Sequence, residues 1–170
     1  MKRGVFLLAI FLAGCVGMDV KYPQTADEFL ATYNWGGLFQ NKETVTVTRS
    51  RVAVVADMRE FAKKCMDITV NKRRMGRYKT DKYSRAPSSE AIPYNAKVAR
   101  IKTGAMALSI QEVAGDPKGV PADGMYTVVA VVRGVSNTST EVNIYHLKKP
   151  FIADPLKKWI NGDKQLCPAL

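Results

Sequence analysis

Met125-Tyr-Thr-Val-Val-Ala-Val-Val132 is the stretch that decides the fold, because it is an almost continuous apolar run rich in valine. β-Branched residues favour strands, and such a run predicts a central strand of a sheet. Ser136-Asn-Thr-Ser139 follows it and predicts a turn. Thr140 to Leu147 then supplies the returning strand, so the two strands form an antiparallel hairpin.

Three further stretches predict strands upstream of this hairpin. Thr44 to Thr48 alternates with period two, and Ile68 to Val70 begins a strand that runs into a basic stretch. Lys97 to Val113 predicts one long strand whose apolar phase shifts across Gly104, which indicates a β-bulge there.

Two helices are predicted before the long strand. Thr25-Ala-Asp-Glu28 has the pattern of a capping box, and Gly36-Gly37 would end the helix that it starts. Ser50 can cap a second helix, in which an apolar stripe at helical spacing runs from Val54 to Cys65. The stripe directs Cys65 towards the core.

A third helix is predicted near the end of the chain. Asp154-Pro155 has the pattern of an N-cap followed by proline, and Gly162 would end a helix of two turns. The resulting order predicts a single α+β domain over residues 25–170. We expect an antiparallel sheet of about four to five strands with helices packed on one face, since each strand then buries one side.

This element order resembles the helix-grip domains of the C-component lipoprotein of the outer-membrane β-barrel assembly machinery. The resemblance implies a helix-grip-like arrangement, but fold alone does not carry function. Lys158-Trp-Ile-Asn-Gly162 and Leu166-Cys-Pro168 also resemble the ends of small uncharacterised proteobacterial lipoproteins, and that resemblance implies no activity.

The N-terminus has the pattern of a secretory signal. Lys2 and Arg3 precede an apolar run from Val5 to Ala13, which is shorter than the roughly 17–25 residues that span a bilayer. Leu12-Ala-Gly-Cys15 resembles the lipobox of bacterial lipoproteins at all four positions. The resemblance implies a signal peptide over residues 1–14, which signal peptidase II removes, and a lipidated tether over residues 15–24.

The same resemblance implies a covalent lipid on Cys15, a diacylglyceryl group with an acylated N-terminus, as the sole cofactor. Two or more acyl chains, such as palmitate, anchor a protein stably at a membrane. Lipoproteins with Asp after the cysteine tend to stay in the inner membrane, and here that residue is Val16. We therefore expect the periplasmic face of the cell outer membrane.

If Cys15 is acylated, Cys65 and Cys167 are the remaining thiols. An even pair in an oxidising compartment favours a disulfide, with two separate buried thiols or a redox-active cysteine as the alternatives. The chain has no C-x-x-C spacing, so a thioredoxin-like role has little support. Three cysteines and one histidine also leave little for a metal site, and none is predicted.

The chain is basic, with 26 Lys and Arg against 15 Asp and Glu in 170 residues, a formal net charge of +11. Seven of the cations fall in one short stretch with interleaved tyrosines: Lys72, Arg73, Arg74, Arg77, Lys79, Lys82 and Arg85. This stretch is a candidate for binding lipopolysaccharide, phospholipid or acidic glycan. No nucleic acid is expected as a partner in the periplasm. The alternative is a solvated hairpin or loop whose charges maintain solubility.

Tyr33-Asn-Trp-Gly-Gly37, followed by Leu38 and Phe39, is a second candidate. An aromatic side chain beside two glycines could dock a partner protein. The alternative is that these side chains cover the sheet.

Catalysis has little support in the sequence. His146 is the one histidine, in a predicted strand, and no H-E-x-x-H, G-x-S-x-G or P-loop spacing occurs. The acidic pairs Asp27/Glu28 and Asp57/Glu60 fall on predicted helix faces, where capping and solvation explain them. We expect a non-catalytic, membrane-anchored accessory or assembly factor with an envelope protein as partner. The alternatives are a binder of anionic envelope polymer or lipid and, with least support, a hydrolase with two distant carboxylates.

Overall fold

The protein is described by a computed structural model that covers residues 22–33, 41–74, 88–113 and 119–170. Within these residues the helices are α1 (Ala26–Tyr33), α2 (Arg51–Phe61) and α3 (Pro150–Asn161), and α2 continues into a π-helical turn, Ala62–Met66. The strands are β1 (Asn41–Val47), β2 (Ile68–Arg74), β3 (Ser88–Arg100), β4 (Met106–Glu112), β5 (Met125–Gly134) and β6 (Thr140–His146). The predicted α+β class is confirmed.

The described strands form one antiparallel sheet in the order β1-β6-β5-β4-β3-β2. The first strand therefore lies beside the last, and α2 carries the chain from β1 at one edge to β2 at the other. The described sheet has six strands, so the expected count of four to five is wrong.

The extra strand comes from the segment predicted as one long strand. Ile101 accepts a hydrogen bond from the amide of Gly104 at 2.8 Å and donates to Ala105 at 3.0 Å, so the chain turns back and forms the β3–β4 hairpin. Gly104 has φ +81°, which favours glycine at this position. The bulge lies elsewhere, at Ile110 and Gln111, where the hydroxyl of Thr127 donates to the carbonyl of Ile110 at 3.1 Å.

The helices lie on both faces of the sheet, so the prediction that they pack on one face is wrong for α1. Alternate residues of β5 enter different clusters of buried side chains. Val128 and Val132 belong to the larger cluster, with residues of α2 and α3, whereas Val129 and Val131 pack with Phe29 of α1. Because β5 is apolar at both odd and even positions, helices must pack on both faces of the sheet to bury its side chains.

The predicted caps of the first two helices are confirmed in their essentials. Ser50 accepts a hydrogen bond from the amide of Ala53 at 3.3 Å at the start of α2. Thr25 accepts from the amide of Glu28 at 3.1 Å, and the Glu28 carboxylate accepts from the amide of Gln24 at 2.8 Å. The reciprocal bond therefore lands one residue earlier than in a standard capping box.

The predicted end of α3 is confirmed, but its predicted start is wrong. Gly162 adopts φ +97° and ends the helix, as expected from glycine in this role. The helix begins at Pro150, so Asp154-Pro155 lies inside it. The additional first turn buries Ile152 and Ala153 completely, which explains why the helix extends through a sequence with two prolines.

The predicted disulfide is confirmed: Cys65 is bridged to Cys167 with their Cα atoms 5.2 Å apart. The same tail is held by Trp159, whose indole N–H donates to the carbonyl of Leu166 at 2.7 Å. The Trp159 ring packs edge-on against Phe61 with centroids 5.7 Å apart. The C-terminal tail is thus fixed to the π-helical turn after α2 and to α3.

Replacing both bridged cysteines, by Cys65→Ala with Cys167→Ala, is expected to lower the free energy of unfolding by about 2–4 kcal/mol, because a bridge across 102 positions restricts the unfolded chain strongly. Urea unfolding of the purified protein in detergent, followed by circular dichroism, measures this. A reductant should destabilise the native protein to the same level and leave the double variant unchanged. Equal stability of both proteins without reductant would contradict the prediction.

Candidate functional site

The structure describes part of the predicted site residues. Cys15, the basic residues Arg77, Lys79, Lys82 and Arg85, and the aromatic stretch 34–39 lie outside the described residues. Lys72, Arg73 and Arg74 are the last three residues of β2, opposite Glu90, Ser89 and Ser88 of β3. The anion-binding candidate therefore begins on a strand at the edge of the described sheet.

A buried histidine lies at the junction of β6 and α3. His146 is 2% exposed, with Nε2 2.9 Å from Oε1 of Glu43 and Nδ1 3.0 Å from the amide nitrogen of Lys149. Because an amide can only donate, Nδ1 is the accepting nitrogen and Nε2 carries the proton that bonds Glu43. Both ring nitrogens are occupied, and neither is open to a substrate.

The network extends from Glu43 to α3. Lys157 places its ammonium group 2.6 Å from Oε2 of Glu43 and 2.6 Å from Oδ1 of Asp154. The hydrogen bond from Lys157 lowers the pKa of Glu43; partial burial opposes it, and His146 adds to it. The pKa of Lys157 is raised, first by Asp154 and then by Glu43. The group therefore works as a charged clamp between β1 and α3.

A second ion pair joins the same junction to β4. Lys149 lies 2.7 Å from Glu112, a pair in which both side chains are largely buried. Beside it, burial raises the pKa of the Tyr94 phenol, and the charge of Glu112 raises it further. Tyr94 thus remains a neutral phenol under ordinary conditions.

The other end of α3 has its own cluster. Arg49 donates to the carbonyl of Ile160 at 2.8 Å and lies 2.6 Å from Asp57, which also pairs with Lys164 at 2.6 Å. Asp57 is 5% exposed, so its expected position on a solvated helix face is wrong. Glu60 is partly exposed, and Lys164 and Lys64 lower its pKa to about 2.

These two clusters were missed from the sequence because their members are distant along the chain. Glu43 and His146 are 103 positions apart, and no spacing rule links them. Within the described residues, no group of three or more His, Cys, Asp or Glu side chains could hold a metal ion. Among the described helices, none is long and apolar enough to cross a membrane.

An open groove of about 410 Å³ separates the first turn of α2 from the β5–β6 turn. Its lining residues are Ser50, Arg51, Val52, Gly134, Val135, Ser136 and Asn137. Val52 is 80% exposed and Val135 64% exposed, the two highest values among the large hydrophobic side chains that the structure describes. Both positions carry a weak sequence signal, since Val52 lies off the apolar stripe of its helix and Val135 lies beyond the apolar run of β5.

Comparison with protein-family models and with curated proteins found no match for this chain.

Replacing Lys157 by Met is expected to lower the free energy of unfolding by about 1–2 kcal/mol, because Glu43 and Asp154 both lose their cation. Lys158→Met is the matched control, since Lys158 is exposed on the same turn. Urea unfolding of the two variants measures the difference. Equal destabilisation by both substitutions would contradict the clamp.

The same variants test the pH dependence. The folded-state pKa of Glu43 is lowered from 4.5, so the clamp's stabilisation is complete above that pH and is lost as the pH falls below it. Lys157→Met should flatten this loss between pH 7 and about pH 3, whereas Lys158→Met should keep it.

Proposed function

We propose that this chain is a lipid-anchored, non-catalytic lipoprotein of the cell envelope, with a single α+β domain over residues 25–170. It acts as an accessory or assembly factor by contacting an envelope protein from the periplasmic face of the outer membrane. The Cys65–Cys167 bridge is the observation that carries the proposal, because structural disulfides persist in oxidising compartments. The lipobox at Leu12-Ala-Gly-Cys15 supports the same location.

The pairing of the described ionic groups supports action by contact rather than catalysis. Both nitrogens of His146 are engaged, and Glu43, Asp57 and Glu112 each bond a cation. Glu43 and Glu112 pair strands β1 and β4 with Lys157 and Lys149, and Asp57 of α2 pairs with Arg49, which donates to the carbonyl of Ile160 at the end of α3. The helix-grip-like resemblance is one of element order, and it does not identify the partner.

The anchor is tested by expressing the full chain in a bacterium with two membranes and feeding a palmitate analogue. We expect labelling of the native chain and of Cys65→Ser with Cys167→Ser, but no labelling of Cys15→Ser. Cys15→Ser should also move from the outer-membrane fraction to the soluble or inner-membrane fraction. An unlabelled native chain, or unchanged fractionation of Cys15→Ser, would refute the proposed anchor.

A second candidate function is binding of anionic lipid or glycan through residues 72–85. The observation that favours it is the position of Lys72, Arg73 and Arg74 at the end of β2, an edge strand. One edge of β2 pairs with β3, and its other edge pairs with no described strand. A basic cluster next to an anionic surface contributes about 1 kcal/mol per cation.

Reversing three cations, by Arg73→Glu, Arg74→Glu and Arg77→Glu, should therefore weaken binding to vesicles that contain lipopolysaccharide or cardiolipin by about 100-fold. Vesicle co-sedimentation measures this, and raising the salt from about 0.05 to about 0.5 M should weaken native binding in the same direction. The control reverses the exposed cations Lys63, Lys97 and Lys102. Equal losses in both triple variants would indicate net charge alone, and no loss in either would exclude this candidate.

A further inference from the structure

We propose that the groove between α2 and the β5–β6 turn is the docking surface for a partner protein, and that it accepts an acidic segment with aliphatic side chains. This inference rests on the proposed function, since it assigns a surface and a partner chemistry to the protein contact.

Val52 and Val135 line the same groove. Single exposed hydrophobic side chains are common and require no explanation. Here the two most exposed large hydrophobic residues of the described chain come from segments more than eighty positions apart and line the same concave surface. Aliphatic side chains of a partner would remove both valines from water.

Backbone and cap hydrogen bonds hold both sides of the groove. The amides of Val135 and Ser136 both donate to the carbonyl of Ser139, at 3.0 and 3.1 Å, and the amide of Thr138 donates to the Ser136 hydroxyl at 3.3 Å. Val52 lies in the first turn of a helix capped by Ser50. Because valine also has few rotamers, little conformational entropy is lost on docking.

The charge of the groove indicates an acidic partner. Its lining includes Arg51 and no carboxylate. Arg51 forms no ion pair with any described residue, whereas Arg49 pairs with Asp57 and donates to the carbonyl of Ile160. The positive end of α2 adds to the same field. A carboxylate of the partner would therefore find an unused guanidinium beside two apolar contacts.

The other possible occupants fit less well. A second copy of the chain would bring a groove with the same unpaired cation, on a protein of net charge +11. Attachment to a lipid surface is already provided by the proposed acyl chains on Cys15, and two valines with one arginine would add little to it. An acidic protein segment is therefore the occupant that fits the groove.

The test places a photo-crosslinking benzoylphenylalanine at position 52, 135 or 97 of the full-length anchored chain in the cell. Lys97 is the control position because it is exposed on β3, away from the groove. We expect positions 52 and 135 to form the same adduct and position 97 not to form it. Mass spectrometry of the adduct should identify a segment of another protein in which aliphatic residues alternate with Asp or Glu.

The contribution of the Arg51 charge to docking is tested with Arg51→Glu, which should reduce adduct formation at position 135 by at least about tenfold. Lys97→Glu, with the same change of charge, should leave it unchanged. If Arg51→Glu alters the thermal unfolding of the protein, Arg51→Gln takes its place and should reduce the yield in the same direction. A basic or neutral segment, an adduct with a second copy, an adduct with lipid alone, or no adduct at either groove position would each overturn the inference.

Native-state electrophoresis distinguishes a wrong groove assignment from a wrong interaction function. If native-state electrophoresis of the solubilised membrane shows the chain in a larger complex that persists after Val52→Asp with Val135→Asp, the groove assignment is wrong and the interaction function stands. If the native chain forms no complex at all, both fail.

Discussion

The two-sided burial of β5 is the constraint on which the rest of the structure depends. Its residues Val128 to Val132 alternate between the two faces of the sheet and are buried throughout, so neither face can remain in water. The long helices α2 and α3 cover one face, and α1 covers the other at the position of Val129 and Val131. The three-layer arrangement of the described chain thus follows from one apolar strand.

The helix α3 depends on its two ends. A helix of twelve residues with two prolines is not stable by itself, and its buried face must be kept in register with the sheet. Lys149, just before its first residue, pairs with Glu112, and Lys157 in its second half pairs with Glu43. At its end Arg49 donates to the carbonyl of Ile160. The disulfide between Cys65 and Cys167 then fixes the C-terminal tail beyond α3. Ion pairs and a covalent bond therefore both hold this end of the chain in place.

Local patterns predicted much of the fold and little of the site. Three predictions that depend only on residues close together in the sequence are confirmed: the cap at Ser50, the stripe that buries Cys65 and the β5–β6 hairpin. The apolar phase shift across Gly104 fits a bulge as well as a hairpin, and only the partners of β3 and β4 decide between them. The β6–α3 ion pairs and the groove join distant segments, which no local spacing encodes.

The described charges divide into two kinds with different consequences. Removing one partner of a buried pair leaves an uncompensated charge, which strongly destabilises the fold. Asp57 and Glu112 belong to such pairs and therefore contribute to the stability of the folded state. Arg51 is under no such constraint: it lies in the open, beside two valines whose burial would release about 25 cal/mol per Å² of apolar surface. Because Arg51 is exposed, substituting it leaves no buried charge without its partner.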